Sequence, residues 1–96
     1  MKILALEREL SPKATPTPAS LLRSEAARVW ELHQSGIIRE VYFRADRSAA
    51  VLILETAGVE EAHLALGTLP LVAGGIIEFE LIPLAPYPGF ARLFGG

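Results

Sequence analysis

With 96 residues, no cysteine and a net charge of −2, the chain falls outside several classes of protein. Disulfides and thiolate-bound metals are excluded, and nothing suggests an oxidising compartment. No basic patch indicates nucleic acid or an anionic membrane as a partner. The length suits one domain spanning 1–96, and a hydrophobic content of 51% is high for a small monomer, which predicts an oligomer.

The predicted elements follow the order strand, helix, strand, strand, helix, strand. In chain order they are a strand over 2–9, a helix from 18 to about 35, strands over 37–45 and 49–56, a helix from 59 to about 68, and a strand over 76–84. A loop with two prolines is expected over 10–17. The chain becomes charged at Glu7 and Arg8, too early for a signal peptide, and no apolar run is long enough to span a bilayer. The expected location is therefore the cytoplasm.

Capping and turn residues set the predicted boundaries. Thr17 is the predicted N-cap of the first helix, Pro18 its first residue, and Gly36 its end. Gly58 precedes the second helix, and Pro70 is expected to help end it. This order of elements predicts an α+β fold, a ferredoxin-like βαββαβ unit. We expect a four-stranded antiparallel sheet of order 4-1-3-2 with both helices on one face.

The two faces of the predicted sheet differ in composition. In the third strand Leu52 and Leu54 share one face, whereas Val51, Ile53 and Glu55 share the other. A face exposed only to solvent would be mainly polar, whereas this face also carries apolar residues. We therefore expect two copies to pack face to face, as in a dimeric α/β barrel. The aromatic, proline-broken tail over 86–96 is expected to reach the partner subunit.

Helical periodicity places titratable residues among apolar ones. The apolar half of the first helix is predicted to consist of Leu21, Leu22, Ala26, Val29, Trp30 and Leu32. Glu25 and His33 fall within that half. In the second helix the residues predicted to face inward are Val59, Ala62, Leu66 and Leu69, and His63 lies on the same face.

The second half of the chain carries a spaced pattern. A Val-Glu pair at 59–60 is followed by His63, by Leu-Pro-Leu at 69–71 and by an Ile-Glu strand at 77–78. This pattern resembles muconolactone delta-isomerase and its relatives, and Glu25 and Gly36 match as well. The resemblance implies the dimeric α/β-barrel superfamily, a homodimer or higher oligomer, a small-molecule substrate and a role in aromatic degradation. Leu22 stands where the type enzyme has a lysine and Leu84 where it has an arginine, which favours a substrate other than muconolactone itself.

The chemistry implied is a cofactor-free isomerase or cyclase acting on a small unsaturated lactone or carbonyl compound. Moving a proton through a dienolate needs one acid/base group and donors for the oxyanion, but no metal and no cofactor. Glu25 suits the base, because a carboxylate among apolar residues has a raised pKa. His63 or His33 is the candidate second acid/base group. The predicted substrate-binding residues are Tyr42, Arg44 and Trp30.

Structural roles for the same residues stay open. Glu25 can pair with an arginine, His63 can simply pack, and His33 can stabilise the C-terminus of its helix. Tyr42 and Arg44 can belong to an interface. Two further functions are therefore considered: a cofactor-free oxygenase, favoured by a wide apolar pocket with aromatic walls and one histidine, and a non-catalytic binding or assembly protein, favoured by a filled barrel.

Overall fold

A computed structural model describes residues 1–10 and 16–95, so most of the loop predicted over 10–17 lies outside the described residues. The elements are β1 Lys2–Glu9, α1 Ala19–Gln34, β2 Ile38–Phe43, β3 Ala50–Glu55, α2 Val59–Leu66, α3 Pro70–Ala73 and β4 Ile77–Pro83, followed by a 3₁₀ turn Pro88–Phe90 and α4 Ala91–Phe94. No helix in the described ranges is long and apolar enough to cross a membrane.

The four strands form one antiparallel sheet of order β2-β3-β1-β4, which confirms the predicted order. Alternate residues of the two central strands, including Ile3 in β1 and Leu54 in β3, face the helices and are fully buried. Leu32 of α1 and Leu66 of α2 join the same hydrophobic cluster. Both helices therefore pack on one face of the sheet, as expected for the ferredoxin-like unit.

A β-bulge in β2 decides which of its residues face the helices. Ile38 pairs with Leu54, and after a shift in register Val41 pairs with Leu52. Both Ile38 and Val41 thus face the helices although they are three residues apart. Tyr42, the next residue, pairs with Val51 and faces the other way.

The boundaries of the first helix match the prediction at its end but not at its start. Gly36, with φ at 85°, adopts the left-handed conformation that favours glycine and lies just beyond α1. Pro18 is the N-cap rather than the first helical residue, and the predicted capping by Thr17 is wrong. Pro18 keeps an extended ψ of 144° while its carbonyl accepts the first helical bond from the N–H of Leu22, so the helix begins at Ala19.

Pro70 has a different role from the one predicted. The second helix already ends at Leu66, and Pro70 begins the one-turn helix α3. The first residue of a helix has no helical partner for its backbone N–H, so a proline there costs no hydrogen bond. The buried Leu69 anchors the start of this turn in the core. As a result, α3 presents the backbone N–H of Leu71 toward α1.

The inward faces predicted for the helices are correct only in part. Leu22 and Trp30 are 49% and 62% exposed, because α1 meets the core mainly through Leu32 and Val29 while these two side chains lie over a cavity. Val59 and His63 are also exposed. The eight-residue α2 buries Ala62 and Leu66, which leaves the pair at 59 and 63 on its flank.

The helix-free face of the sheet has an apolar centre with charges around it. The half-buried residues of this centre are Leu4, Leu6, Val51, Ile53 and Ile82. Around them Arg8 pairs with Glu78 at 3.7 Å, and the terminal amine pairs with Glu55. The hydrogen bond from that amine holds the pKa of the Glu55 carboxyl below its usual range.

The C-terminal tail forms a small cluster of aromatic side chains. The rings of Tyr87 and Phe90 meet edge to face with centroids 5.0 Å apart, and a side chain at Gly89 would overlap the Tyr87 ring. Phe90, Leu93 and Phe94 are all largely exposed. The described protein measures 59 Å along its longest axis against 28 and 21 Å along the others.

Candidate functional site

A cavity of about 520 Å³ lies between α1, α3 and the helix-facing side of the sheet. Its walls are mostly apolar and include three aromatic rings, those of Trp30, Phe43 and Phe79. The other lining residues are Glu7, Leu22, Glu25, Ala26, Val29, His33, Val41, Ala50, Leu52, Leu69 and Leu71. A cavity of this size, apolar with few polar groups, is typical of a site for a single-ring organic molecule.

Glu25 contributes a carboxyl group to the lining of this cavity. It lies on α1, and its Oε1 accepts a hydrogen bond of 2.9 Å from the N–H of Leu71 in α3. Burial raises the pKa of its carboxyl above 4.5, and the nearby Glu7 carboxylate raises the pKa further, whereas the Leu71 bond acts in the opposite direction. Glu25 forms no ion pair with any described residue. A pairing with an arginine of the same chain is therefore not what the structure shows, whereas a pairing with an arginine of a partner subunit stays a prediction.

Glu7 is a second cavity carboxylate, which the sequence analysis did not select. It lies on β1, opposite Phe79 of β4, and its Oε1 accepts a bond of 3.2 Å from the N–H of Ala50 in β3. The signal was present in the sequence, because Ile3 and Ala5 alternate along the buried side of β1 and Glu7 continues that side.

His33, one of the candidate acid/base groups named from the sequence, also lines the cavity. Its Nδ1 lies 2.9 Å from the carbonyl oxygen of Ile38. A carbonyl only accepts, so Nδ1 carries the proton in the neutral ring and Nε2 is left as the acceptor. The Trp30 ring lies beside it, with the centroids 6.1 Å apart.

The remaining predicted site residues lie elsewhere. His63 is exposed on α2 and does not line the cavity, so the inward orientation predicted for it is wrong. Tyr42 lies on the helix-free face, where its hydroxyl donates a 2.6 Å bond to Glu40, and that bond raises the tyrosine pKa. Arg44 is engaged with Asp46 through two bonds of 2.7 and 2.8 Å, which raise the pKa of the guanidinium and lower that of Asp46.

A second, more open groove of about 860 Å³ adjoins the cavity and shares Glu7 and Leu71 with it. Arg8, Glu9 and Arg47 make it polar. The groove extends to Pro16, beside the residues outside the described ranges, so its lining is defined less completely than that of the cavity. We therefore place the candidate site in the apolar cavity alone. Within residues 1–10 and 16–95, no group of three or more histidine or acidic side chains is arranged to hold a metal ion.

Comparison with known proteins identifies the fold. No family model matches the chain, and no curated protein matches it in sequence. Among solved structures it is similar to muconolactone isomerase, with a TM-score of 0.75 and 23% identity over 92% of each chain. It is also similar to 5-chloro-2-hydroxyhydroquinone dehydrochlorinase from Burkholderia phenoliruptrix AC1100 in complex with 2,5-dihydroxybenzoquinone, with a TM-score of 0.59 and 16% identity over 93% of this chain and 98% of that one. The chain therefore has the fold of these enzymes.

Proposed function

We propose that the protein is a cofactor-free isomerase or cyclase of the muconolactone isomerase-like family, acting on a small unsaturated lactone or carbonyl compound. The observation that carries this proposal is the Glu25 carboxyl, held in an apolar cavity by one backbone N–H and raised in pKa. A carboxyl with a raised pKa is a stronger base than an ordinary glutamate and is suited to moving a proton between carbon atoms.

The proposed reaction uses the cavity groups in defined roles. The ionised Glu25 removes a proton from one end of the conjugated system, the γ carbon of an α,β-unsaturated lactone or the α carbon of its β,γ-unsaturated isomer. This gives a dienolate, and the proton returns to the carbon at the other end. His33 can donate a hydrogen bond from Nε2 to the dienolate oxygen only when its ring carries both protons, since Nδ1 already donates to the carbonyl of Ile38. The apolar walls exclude water and hold the ring in plane.

The two similar structures support the class of substrate. Their names specify a lactone isomerase and a hydroquinone dehydrochlorinase, the latter with a dihydroxybenzoquinone bound. Each name points to one small unsaturated ring carrying oxygen atoms, and the cavity volume of about 520 Å³ accommodates such a ring. We include in this proposal a role in the degradation of aromatic compounds, which the similarity to these two enzymes supports.

The test is proton exchange in heavy water. The protein is incubated with a panel of five-membered unsaturated lactones, and deuterium entry at the carbons of the conjugated system is followed by proton NMR. We expect exchange or double-bond migration well above the rate in buffer. The pH profile should show loss of rate on the acid side, setting in at a higher pH than for an ordinary glutamate, since protonation of Glu25 removes the base. A panel with no exchange above background contradicts the proposal.

A cofactor-free oxygenase is the second candidate. The cavity has aromatic walls at Trp30, Phe43 and Phe79, and of the two histidines only His33 lines it. These features favour an electron-rich hydroquinone whose anion reacts directly with dioxygen. Oxygen consumption with such substrates, measured with an electrode, separates this function from isomerisation, which consumes none.

We further propose that two copies associate through the helix-free face, with the tail of each reaching the other. The supports are the apolar centre of that face, half-buried in one chain, and the exposed aromatic residues of the tail. Ion pairs such as Arg8 with Glu78 at the edge of the face are compatible with a polar interface rim.

Removing the tail is expected to weaken this association. A chain ending at Pro86 loses the largely exposed Tyr87, Phe90, Leu93 and Phe94, and with them the apolar area that would contact the partner. Light scattering should show a dimer for the full chain at micromolar concentration and a monomer for the shortened one. Replacement of the exposed Leu64 of α2 by serine is the matched control and should leave the dimer intact. Unchanged assembly of the shortened chain would contradict the role of the tail.

A further inference from the structure

We propose that the cavity selects an uncharged ring substrate and that Glu7 is the residue that determines this selectivity. The inference rests on the proposed function, because it concerns the same cavity. Glu7 and Glu25 are the only acidic residues among the described lining residues, and none of these lining residues is lysine or arginine. A substrate carboxylate entering the cavity would therefore meet two carboxylates and no lysine or arginine.

Four arginines on the elements around the cavity do not line it. Arg28 of α1 donates a 2.9 Å bond to Thr68 and lies 3.6 Å from Glu31. Arg44, just after β2, is bound to Asp46. Arg8 of β1 and Arg47 of the β2–β3 turn line the neighbouring groove instead of the cavity. No lysine or arginine among residues 1–10 and 16–95 lines the cavity, so none lies against an anionic substrate bound there.

Glu7 is held rigidly enough to act as a specificity residue. It lies on one of the two central strands of the sheet, and the N–H of Ala50 fixes one of its oxygens at 3.2 Å. Glu7 is half-buried, so its charge acts over several ångströms and is screened by salt less than a fully exposed charge would be, but still measurably. A carboxylate oxygen is also an acceptor for a hydroxyl group. The substrate class is therefore an uncharged hydroxylated or amide-bearing single ring that can form an enolate.

Binding of two isosteric ligands tests the proposal. The ligands are 2(5H)-furanones that carry, at the same ring carbon, either a carboxymethyl or a carboxamidomethyl group. Calorimetry at pH 7.5 should show the amide binding at least about 10-fold tighter than the carboxylate. In Glu7→Gln the ratio should fall to about threefold or less, while Gln keeps an oxygen for the Ala50 N–H. Glu60→Gln, an exposed site on α2, is the control and should keep the wild-type ratio.

Salt provides a second readout that does not depend on the variant. Between 10 mM and 300 mM ionic strength the affinity for the carboxylate should rise, while that for the amide should stay constant. Equal binding of the two ligands by the wild type, binding of neither at millimolar concentration, or a ratio unchanged in Glu7→Gln overturns the proposal.

Deuterium entry into each ligand separates this inference from the proposed function. Selective binding without exchange contradicts the isomerase while leaving the selectivity in place. Exchange at equal rates and affinities into both ligands supports the isomerase and overturns the selectivity.

Discussion

Replacing Glu25 by glutamine is expected to lower the rate of proton transfer by a factor of about 10² to 10⁴, the range typical for loss of a general base. Glutamine keeps an oxygen that can accept the 2.9 Å bond from the Leu71 N–H, so the packing of α3 against α1 is retained. The rate is measured as deuterium entry into an unsaturated lactone at pH 7.5. Glu31→Gln, on the same helix but exposed, is the control and should exchange at the wild-type rate.

The same substitution is expected to raise stability at pH 8. The pKa of Glu25 is raised in the folded protein, so its ionised form opposes folding at pH values above that pKa. The side chain is only half-buried and solvent screens it, so we expect a gain of about 0.5 kcal/mol, or roughly 2–4 °C in Tm. The difference should shrink as the pH falls through the folded-state pKa and vanish well below the pKa of an ordinary glutamate, where the carboxyl is protonated whether folded or unfolded. A loss of stability at pH 8 together with unchanged exchange would give Glu25 a purely structural role.

Replacing Leu54 by alanine is expected to destabilise the fold by about 3 kcal/mol, within the range for a leucine removed from a packed core. Leu54 is fully buried in a central strand, between Ile3 of β1 and Ile38 of β2. Denaturant unfolding measures the loss, which corresponds to a fall in Tm of roughly 12 °C or more.

Ile53→Ala is the matched control on the opposite side of the same strand. Ile53 is half-buried in one chain and belongs to the apolar centre of the helix-free face. If that face is an interface, Ile53→Ala lowers the Tm mainly at low protein concentration, because dissociation then limits stability. A concentration-independent loss equal to that of Leu54→Ala would contradict the proposed dimer.

The strand order was predictable from local chemistry because the turn signals are strong and the strands are amphipathic. Alternation in β3 placed Leu52 and Leu54 correctly in the core, and Gly36 fixed the end of α1. The short helix α3 was not predicted, since Pro70 can either end a helix or begin one. Which of these occurs depends on Leu69, whose burial in the core is a tertiary effect.

The site was predictable in part for related reasons. Periodicity over sixteen residues gave α1 a definite face and located Glu25 and His33. The eight residues of α2 are too few to fix its rotation, and His63 was placed inward although it is exposed. Glu7 was not predicted because it stands at the charged end of β1, followed by Arg8 and Glu9, where the alternation of apolar and polar residues stops. Successive side chains of β2 point to opposite faces of the sheet, so Phe43 lines the cavity and Tyr42 lies on the helix-free face.

The most direct test of the account is the titration of Glu25 itself, followed through its side-chain carboxyl carbon by NMR in the free protein. We predict a midpoint above 4.5 in the wild type and a lower midpoint in Glu7→Gln, because burial and the neighbouring carboxylate both raise the pKa. The measurement needs no knowledge of the substrate. A Glu25 that titrates like an ordinary solvent-exposed glutamate, unaffected by Glu7→Gln, would contradict the proposal that this cavity holds a carboxyl adapted to proton transfer.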